Sequence, residues 1–325
     1  MKSIIICSVM LLTALQLFAQ EKKEIFFADP TIYVDGGKYY LTGTKGGSGT
    51  PGFAILESKD LKNWAPPAGA KDSVYMILSQ GDQTFGTKGF WAPQIFKVDQ
   101  TYYLAYTANE QTALAESKSL LGPYHQKEIG PIDGSEKNID PFVFKDDDGK
   151  YYLYHVRFNH GNYLWVAEFD VKKGKIKPET LKKCFDQTQP WEATPNYKSA
   201  PIMEGPTVVK MKGKYYLFYS ANHFMNIDYA IGYAVSDSPY GPWVKYEGNP
   251  IIHRSIVGEN GSGHGDLFQG LDGQLYYVYH VHFSKDQVAP RRTRIVPVIK
   301  EWDAKKGQYK FSANGNKVIV PVMEK

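Results

Sequence analysis

The chain has 325 residues, of which 42% are hydrophobic and 14% aromatic, and its 24 Tyr and 30 Gly favour strands and turns over helices. A formal net charge of +4, with no dense run of Lys or Arg, argues against nucleic acid or anionic lipid as a partner. Length alone would allow two domains, but no Pro/Ser-rich linker divides the chain, so one domain is expected.

The first predicted element is a signal peptide over residues 1–19. A positive start at Lys2 is followed by an apolar run, which is too short for a confident membrane span, and by a cleavage site before Gln20. We therefore expect a secreted or periplasmic protein with a mature domain of residues 20–325. Cys184 is then the only mature cysteine, and we expect it to be a partly buried structural thiol without a disulfide.

Five times along the mature chain, a short segment leads into a strand, a tight turn and a Tyr-rich strand. The copies can be aligned on one equivalent position each, and these positions are 63, 48, 65 and 60 residues apart. They are Asp29, Ala92, Asp140, Gly205 and Gly265. Repeating units of this length, each with several strands, are typical of β-propellers. The sequence therefore predicts an all-β fold, a five-bladed β-propeller.

Turn-forming residues and segment ends within the copies support this prediction. Asp-Gly pairs between alternating apolar runs predict hairpins, and each Tyr-rich strand is followed by a third segment that ends in an aromatic residue. We expect these aromatics, Trp64, Tyr124 and Trp243, to lie in the core. The run of three aspartates at 146–148 resembles a metal cluster but precedes Gly149 at a hairpin, so we expect an exposed turn. No stretch predicts a major helix.

Equivalent segments of all blades in a propeller meet at one end of the central channel. Asp29, Asp140 and Glu204 are therefore expected to meet there. Such carboxylates can divide the work of glycosidic bond hydrolysis, in which an acid with a raised pKa protonates the leaving oxygen and a second carboxylate acts on the anomeric carbon directly or through water. The longer side chain of Glu204 suits the acid. The alternative for each Asp before Pro is a turn or capping residue.

The repeated segments also resemble a known family. ADPTIY, WAPQIF, IDPFVF, EGPTVVK and GHGDLF, in this order, are similar to those of glycoside hydrolase family 43, a family of five-bladed β-propellers, and the resemblance covers essentially the whole mature chain. It implies that Asp29 is the general base, that Asp140 tunes and orients the acid, and that Glu204 is the general acid. It also implies inversion at the anomeric carbon.

The resemblance implies roles for four further residues. His264 matches a channel histidine that contacts a cation, often calcium, directly or through water; the alternative is a histidine that bonds to neighbouring loops or to the sugar, because calcium prefers oxygen ligands. Arg291 and Arg292 both match the place of an arginine that contacts the innermost sugar, and their order leaves the choice open. Trp91 is expected either to form a wall of that sugar subsite or to pack inside the channel. No organic cofactor is expected.

The expected activity is therefore that of an exo-acting α-L-arabinofuranosidase, with β-xylosidase second and endo-arabinanase or galactan-active enzymes as further alternatives. A carbohydrate-binding propeller without turnover and a scaffold for other secreted proteins remain the alternatives from other functional classes. The predicted partner is an arabinose- or xylose-containing oligosaccharide, and the predicted state is a monomer. Sugar specificity is expected to depend on the loops at 45–53, 69–90 and 185–203.

Overall fold

The computed structural model describes residues 23–45, 51–71 and 73–324. The predicted signal peptide lies outside the described residues. Within them the fold is an all-β propeller whose strands form five sheets. The only α-helix in this part of the chain is the four-residue α1 (Arg254–Val257), and the 3-10 turns are Pro178–Thr180, Pro190–Glu192 and Gly315–Lys317. The expectation of a fold without major helices is confirmed.

The strands follow one another sheet by sheet along the chain. The first sheet contains β1 (Lys23–Glu24), β2 (Phe27–Asp35), β3 (Lys38–Lys45), β4 (Gly52–Ser58), β5 (Asn63–Ala65) and β6 (Met76–Ser79). The second contains β7 (Trp91–Val98), β8 (Thr101–Ala108) and β9 (Gln111–Ser117). The third contains β10 (Asn138–Lys145), β11 (Tyr151–Phe158), β12 (Asn162–Asp170), β13 (Lys175–Ile176) and β14 (Lys182–Lys183).

The remaining strands complete the propeller and bring the described chain ends together. The fourth sheet contains β15 (Met203–Met211), β16 (Lys214–Ala221), β17 (Ala230–Ser236) and β18 (Val244–Lys245), and the fifth contains β19 (Gly263–Gln269), β20 (Leu275–Val281), β21 (Arg292–Asp303) and β22 (Gln308–Ala313). The last strand, β23 (Val322–Met323), joins the first sheet, where it pairs antiparallel with β1 and parallel with β5. Early and late segments therefore share one sheet.

The innermost strand of each sheet faces the central channel. These strands, β2, β7, β10, β15 and β19, contact one another in that order, and β19 contacts β2 again. Each pairs antiparallel with the Tyr-rich strand that follows it, across the predicted hairpin turns. Gly149 and Gly273 adopt φ values of 83° and 78° in two of these turns, a region that glycine enters without steric cost.

The aromatic residues that were assigned to the core do lie there. Trp64 and Tyr124 are fully buried and Trp243 is 9% exposed. The layers between sheets are built largely from tyrosine rings, such as Tyr154 and Tyr219 between the third and fourth sheets. Tyrosine suits these layers because its ring buries a large apolar area while its hydroxyl finds a polar partner at the edge.

One expectation about the turn at 146–148 is wrong. Asp147 is exposed, but Asp146 is buried, and its carboxylate accepts hydrogen bonds from Lys210 Nζ at 2.6 Å and Tyr215 OH at 2.5 Å. These partners belong to the fourth sheet, so Asp146 joins two neighbouring sheets. The sequence suggested an exposed turn because it does not show that a neighbouring sheet covers one end of this turn.

Two other predictions concern single features of the described residues. Cys184 has a free thiol, and its half-buried side chain packs against the core cluster between the third and fourth sheets, as expected of a structural cysteine. Burial raises the pKa of this thiol, which keeps it protonated.

Across residues 23–45, 51–71 and 73–324, none of the helices has the length and apolar character needed to cross a membrane.

Candidate active site

Each inner strand carries one residue with a left-handed backbone at a bulge near the end of the channel. We name these the ring residues: Asp29 (φ 48°), Ala92 (45°), Asp140 (55°), Gly205 (60°) and His264 (41°). The strand register shifts at or beside all five positions. Such bulges redirect side chains and are common beside active sites. They direct residues of five distant segments toward one point.

The ring changes the alignment of the repeats in one place and confirms the offset of Glu204 in another. His264, and not Gly265, is the ring residue of the fifth sheet. Glu204 lies one residue before its ring residue, Gly205, and is therefore equivalent to Trp91 rather than to Asp29 or Asp140. The fifth copy was aligned on Gly265 instead of His264 because it has no proline, whereas in the other four copies a proline follows the ring residue.

Asp29 is buried and held by four partners. Thr44 Oγ1 donates a hydrogen bond of 2.6 Å to Asp29 Oδ2, and Arg291 Nη1 donates one of 3.0 Å to Oδ1. The Asp29 backbone N–H donates to His280 Nδ1 at 3.1 Å, and His264 Nδ1 lies 3.3 Å from Oδ1. This carboxylate is therefore fixed in orientation from both sides of the channel.

The same partners decide its charge. Burial alone would raise the pKa of Asp29, but the Arg291 guanidinium, together with His264 and His280, outweighs burial and holds this pKa well below its ordinary value. Burial lowers the pKa of His280 to about 3, so its neutral ring accepts the Asp29 N–H. Asp29 is an ionised carboxylate at neutral pH, the form that a general base requires.

Glu204 and Asp140 have the opposite electrostatics. Burial raises the pKa of Glu204 to about 7, and the charge of Asp29 adds to this rise. The hydrogen bond of 2.8 Å that Tyr229 OH donates to Glu204 Oε1 acts in the opposite direction and lowers this pKa. Burial and the charges of Glu204 and Asp29 raise the pKa of Asp140 as well. Asp140 Oδ2 accepts the backbone N–H of Gly205 at 3.2 Å, so it is bonded to the residue that follows Glu204.

His264 lies between the two ring aspartates rather than in a metal cluster. Its Nδ1 is 3.3 Å from Asp29 Oδ1 and 3.9 Å from Asp140 Oδ2. Among the described residues, no group of three or more His, Cys, Asp or Glu side chains is arranged to hold a metal ion. His264 thus has no acidic, histidine or cysteine partners arranged with it as direct ligands of calcium in the described part of the chain. A contact through water remains a prediction.

Below the ring the channel narrows to a cavity of about 30 Å³. Its wall contains the prolines that follow four of the ring residues, and beneath them lies Asp266, which accepts hydrogen bonds from Thr31 Oγ1 at 2.8 Å and Thr207 Oγ1 at 3.0 Å. This space is about one water molecule in size. It is therefore too small for a sugar ring, and neither Glu204 nor Trp91 lines it.

The comparisons with known proteins agree with this geometry. Residues 23–306 match the model of glycosyl hydrolases family 43. This chain belongs to that family. It is similar to the solved structure of an endo-1,4-β-xylanase from Bacteroides thetaiotaomicron, with 39% identity and a TM-score of 0.84 over 94% of this chain and 100% of the other. A thermostable family-43 glycoside hydrolase of known structure is 32% identical, with a TM-score of 0.75 over 88% of this chain and 92% of the other.

Curated relatives show a range of named activities within family 43. A xylosidase/arabinosidase of Humicola insolens is 26% identical over 78% of this chain and 47% of its own length. A β-D-galactofuranosidase of Aspergillus niger is 25% identical over 83% of this chain and 78% of its own. The chain thus spans about half the length of the first of these two relatives.

In this family-43 site, the structure separates the two neighbouring arginines. Arg291 reaches Asp29, and its guanidinium lies 4.8 Å from the centre of the Phe224 ring. Arg292 instead donates to Glu259 Oε1 at 2.7 Å and to the backbone oxygen of His282 at 3.1 Å, away from the carboxylates. The doubled arginine left this choice open in the sequence. Arg291 lies just before β21 and Arg292 is its first residue, and of the two it is Arg291 whose side chain reaches Asp29.

This separation predicts different outcomes for two matched variants. Arg291→Met should raise the pKa of Asp29, move the acidic limb of the pH–rate profile to higher pH and lower kcat/KM by at least about tenfold, a typical effect of losing one partner of a buried ion pair. Arg292→Met should lower the melting temperature but keep the wild-type pH profile. Steady-state kinetics across pH check both. Equal effects of the two variants on the acidic limb would contradict the assignment.

Trp91 lies at the mouth of the channel with 39% of its surface exposed, so it is available as a wall of the sugar subsite rather than a packed core ring.

A row of aromatic rings extends from Arg291. His223 stacks on Phe224 at 4.6 Å between ring centres, and Tyr197 stacks on His223 at 4.8 Å. Tyr197 also lines a cleft of about 630 Å³ beside the loop at 185–203. A row of flat surfaces thus leads away from the carboxylates.

Several residues of the site were not expected from the sequence. Tyr229 gave no signal, because it lies outside the repeated motif. Thr44 and His280 did have a sequence signal. Each lies five residues after the start of the Tyr-rich strand segment in its copy, and the same position in the other copies is occupied by Thr107, Val156 and Ser220. The repeat therefore marked these positions, although not what they contact.

Proposed function

We propose that this chain is an inverting glycoside hydrolase that cleaves terminal pentosyl residues, α-L-arabinofuranosyl or β-D-xylosyl, from plant-type oligosaccharides or polysaccharides. The observation that carries the proposal is the opposed electrostatics of two buried carboxylates at one channel mouth: Asp29 is held ionised, and the pKa of Glu204 is raised to about 7. Carboxylates whose pKa values are driven apart in this way serve as base and acid.

In the proposed reaction, Glu204 protonates the glycosidic oxygen as the bond to the anomeric carbon breaks. Asp29 removes a proton from a water molecule that attacks the opposite face of that carbon, so the product has inverted configuration. Asp140 orients Glu204 through its bond to the Gly205 N–H, and the electrostatic coupling of the two buried carboxyls favours a proton on the pair. Arg291 holds Asp29 ionised, and Trp91 and Arg291 contact the sugar.

The two sugars are both supported by the names of relatives, which include a xylosidase/arabinosidase, and the xylose-directed activity is further supported by the similar endo-1,4-β-xylanase structure. Purified protein should be tested on aryl α-L-arabinofuranoside, aryl β-D-xyloside, arabinan and xylo-oligosaccharides, with the product anomer identified by NMR. We expect turnover of an aryl pentoside with inversion. Binding of these sugars without turnover would instead support a carbohydrate-binding propeller, and a retained anomer would contradict the assigned base.

Three further features belong to this proposal. We propose that the five sheets are the five blades of the propeller, which is supported by the closed cycle of inner strands. We propose export, on the signal peptide predicted over residues 1–19, and a monomeric state. Mass analysis of the exported protein for cleavage before Gln20, and its mass in solution, test the last two.

A further inference from the structure

The ring residues are linked to one another by a repeated hydrogen bond. In each sheet, one residue of the second strand lies opposite the residue that precedes the ring residue; we name these the latch residues: Thr44, Thr107, Val156, Ser220 and His280. Four of the five accept the backbone N–H of the ring residue in the next sheet, at 2.8 to 3.1 Å: Thr44 from Ala92, Thr107 from Asp140, Ser220 from His264 and His280 from Asp29.

Val156 is the exception. It pairs with Ile139 in the register in which Thr44 pairs with Ala28, so it occupies the latch position of the third sheet. It is fully buried in an apolar cluster with Ile139 and Met203, and its side chain has no atom that can accept a hydrogen bond. The N–H of the next ring residue, Gly205, donates to Asp140 Oδ2 instead, at 3.2 Å.

The first sheet shows what a hydroxyl does at this position. There, the Ala92 N–H donates to Thr44 Oγ1 at 2.9 Å, and the same hydroxyl donates to Asp29 Oδ2 at 2.6 Å. A hydroxyl thus stands between the ring aspartate and the next ring N–H. In the third sheet the hydroxyl is missing, and the equivalent carboxylate bonds directly to the N–H beside Glu204.

Gly205 makes this direct contact possible. Its backbone is left-handed, and a Cβ there would lie 2.7 Å from His264 Cδ2, so a side chain would displace the histidine. With glycine at this position, His264 and Asp140 both approach the backbone of the segment that carries Glu204.

We propose that Val156 is a positioning residue that directs Asp140 onto the Gly205 N–H and thereby gives two aspartates in equivalent ring positions their different tasks. Asp29, with a hydroxyl latch and Arg291, is held apart as the base. Asp140, without a hydroxyl latch, is joined to the segment of the acid. This inference rests on the proposed function for its catalytic part, but its geometric part is independent of activity.

The test is Val156→Thr, which is nearly isosteric and adds a hydroxyl where the other latch residues have a polar atom. A crystal structure of the variant should show the hydroxyl between Gly205 N and Asp140 Oδ2, with these two atoms no longer in hydrogen-bond contact. Hydrolysis of an unactivated pentosyl oligosaccharide, which needs the acid, should fall by about tenfold, whereas an activated aryl pentoside should change by less than about threefold with little change in KM.

Three variants make the test specific. Val156→Ala removes apolar contact without adding a hydroxyl, so any loss should be equal for both substrates. Val156→Ser offers a second hydroxyl, as at Ser220, if the threonine variant does not fold. In Asp140→Asn protein, adding Val156→Thr should cause little further loss, because the two changes act on one interaction. Melting temperatures identify losses that come from unfolding.

The inference is overturned if the threonine and serine variants keep the Gly205–Asp140 bond, or if the bond is broken and the ratio of the two substrates stays at the wild-type value. If wild-type protein hydrolyses no pentoside, the proposed function fails instead. The crystal structures of the variants would then still decide whether the latch residue controls Asp140.

Discussion

Replacing Glu204 with glutamine is expected to lower kcat by about 10³-fold on substrates with sugar leaving groups, a typical contribution of a general acid. Glutamine keeps the size of the side chain and an oxygen for the Tyr229 hydroxyl but has no proton to give to the leaving oxygen. Activated aryl pentosides, whose leaving groups need little protonation, should lose far less. Wild-type activity should fall as pH rises through about 7, where Glu204 loses its proton, and this limb should vanish in the variant.

The matched control is Glu247→Gln, which changes an exposed glutamate that pairs with Lys306 on the surface. It should retain wild-type kinetics on both substrate types. The comparison is made by steady-state kinetics with one oligosaccharide and two aryl pentosides of different leaving-group pKa. If Glu204→Gln slows all three substrates by the same factor and keeps the basic limb, Glu204 is not the acid.

The second large effect is expected at Asp29. Asp29→Ala removes the group that activates water, and in an inverting mechanism every substrate depends on that water, so all leaving groups should be affected alike by about 10²–10⁴-fold. The smaller side chain leaves room for an anion beside Arg291. Added azide should therefore restore turnover and give a glycosyl azide of inverted configuration.

The exposed Asp286, changed to alanine, is the control for Asp29 and should behave as wild type with and without azide. Two NMR measurements are decisive together: the anomer that the wild-type protein releases and the configuration of the azide product, because loss of a carboxylate nucleophile would also give an inverted azide. A product of retained configuration would show that Asp29 is not the base of a single displacement and that a carboxylate attacks the sugar directly.

The sequence predicted the propeller because each repeat carries its own local signals, the alternating strand, the turn and the Tyr-rich strand. Those signals depend on residues close together in the chain. Asp146 shows the limit: its turn was predicted, but its burial comes from Lys210 and Tyr215 in the next sheet. The sequence of one repeat does not show which residues of the next sheet it contacts.

The same division applies to the site. Asp29, Asp140 and Glu204 were found because they lie in or beside the repeated motif, and the repeat brings them to one channel mouth. Their different environments could not be predicted in this way, because they come from Arg291, Tyr229 and His264, which lie in other segments of the chain. The ring position of the fifth copy also escaped, since only the backbone conformation shows that it is His264 rather than Gly265.

The environment of Asp29 has a consequence for how the protein is made. This residue lies in the first sheet, but its N–H, its charge and its own strand depend on His280, Arg291 and Thr293, which lie in or next to the fifth sheet. During synthesis the strands up to β18 can form while Asp29 is still without these partners, and the first sheet itself is completed only by β23. On the proposed roles, activity therefore requires the closing segment of the chain, and a nascent chain or a proteolytic fragment that lacks it carries the proposed acid but no organised base.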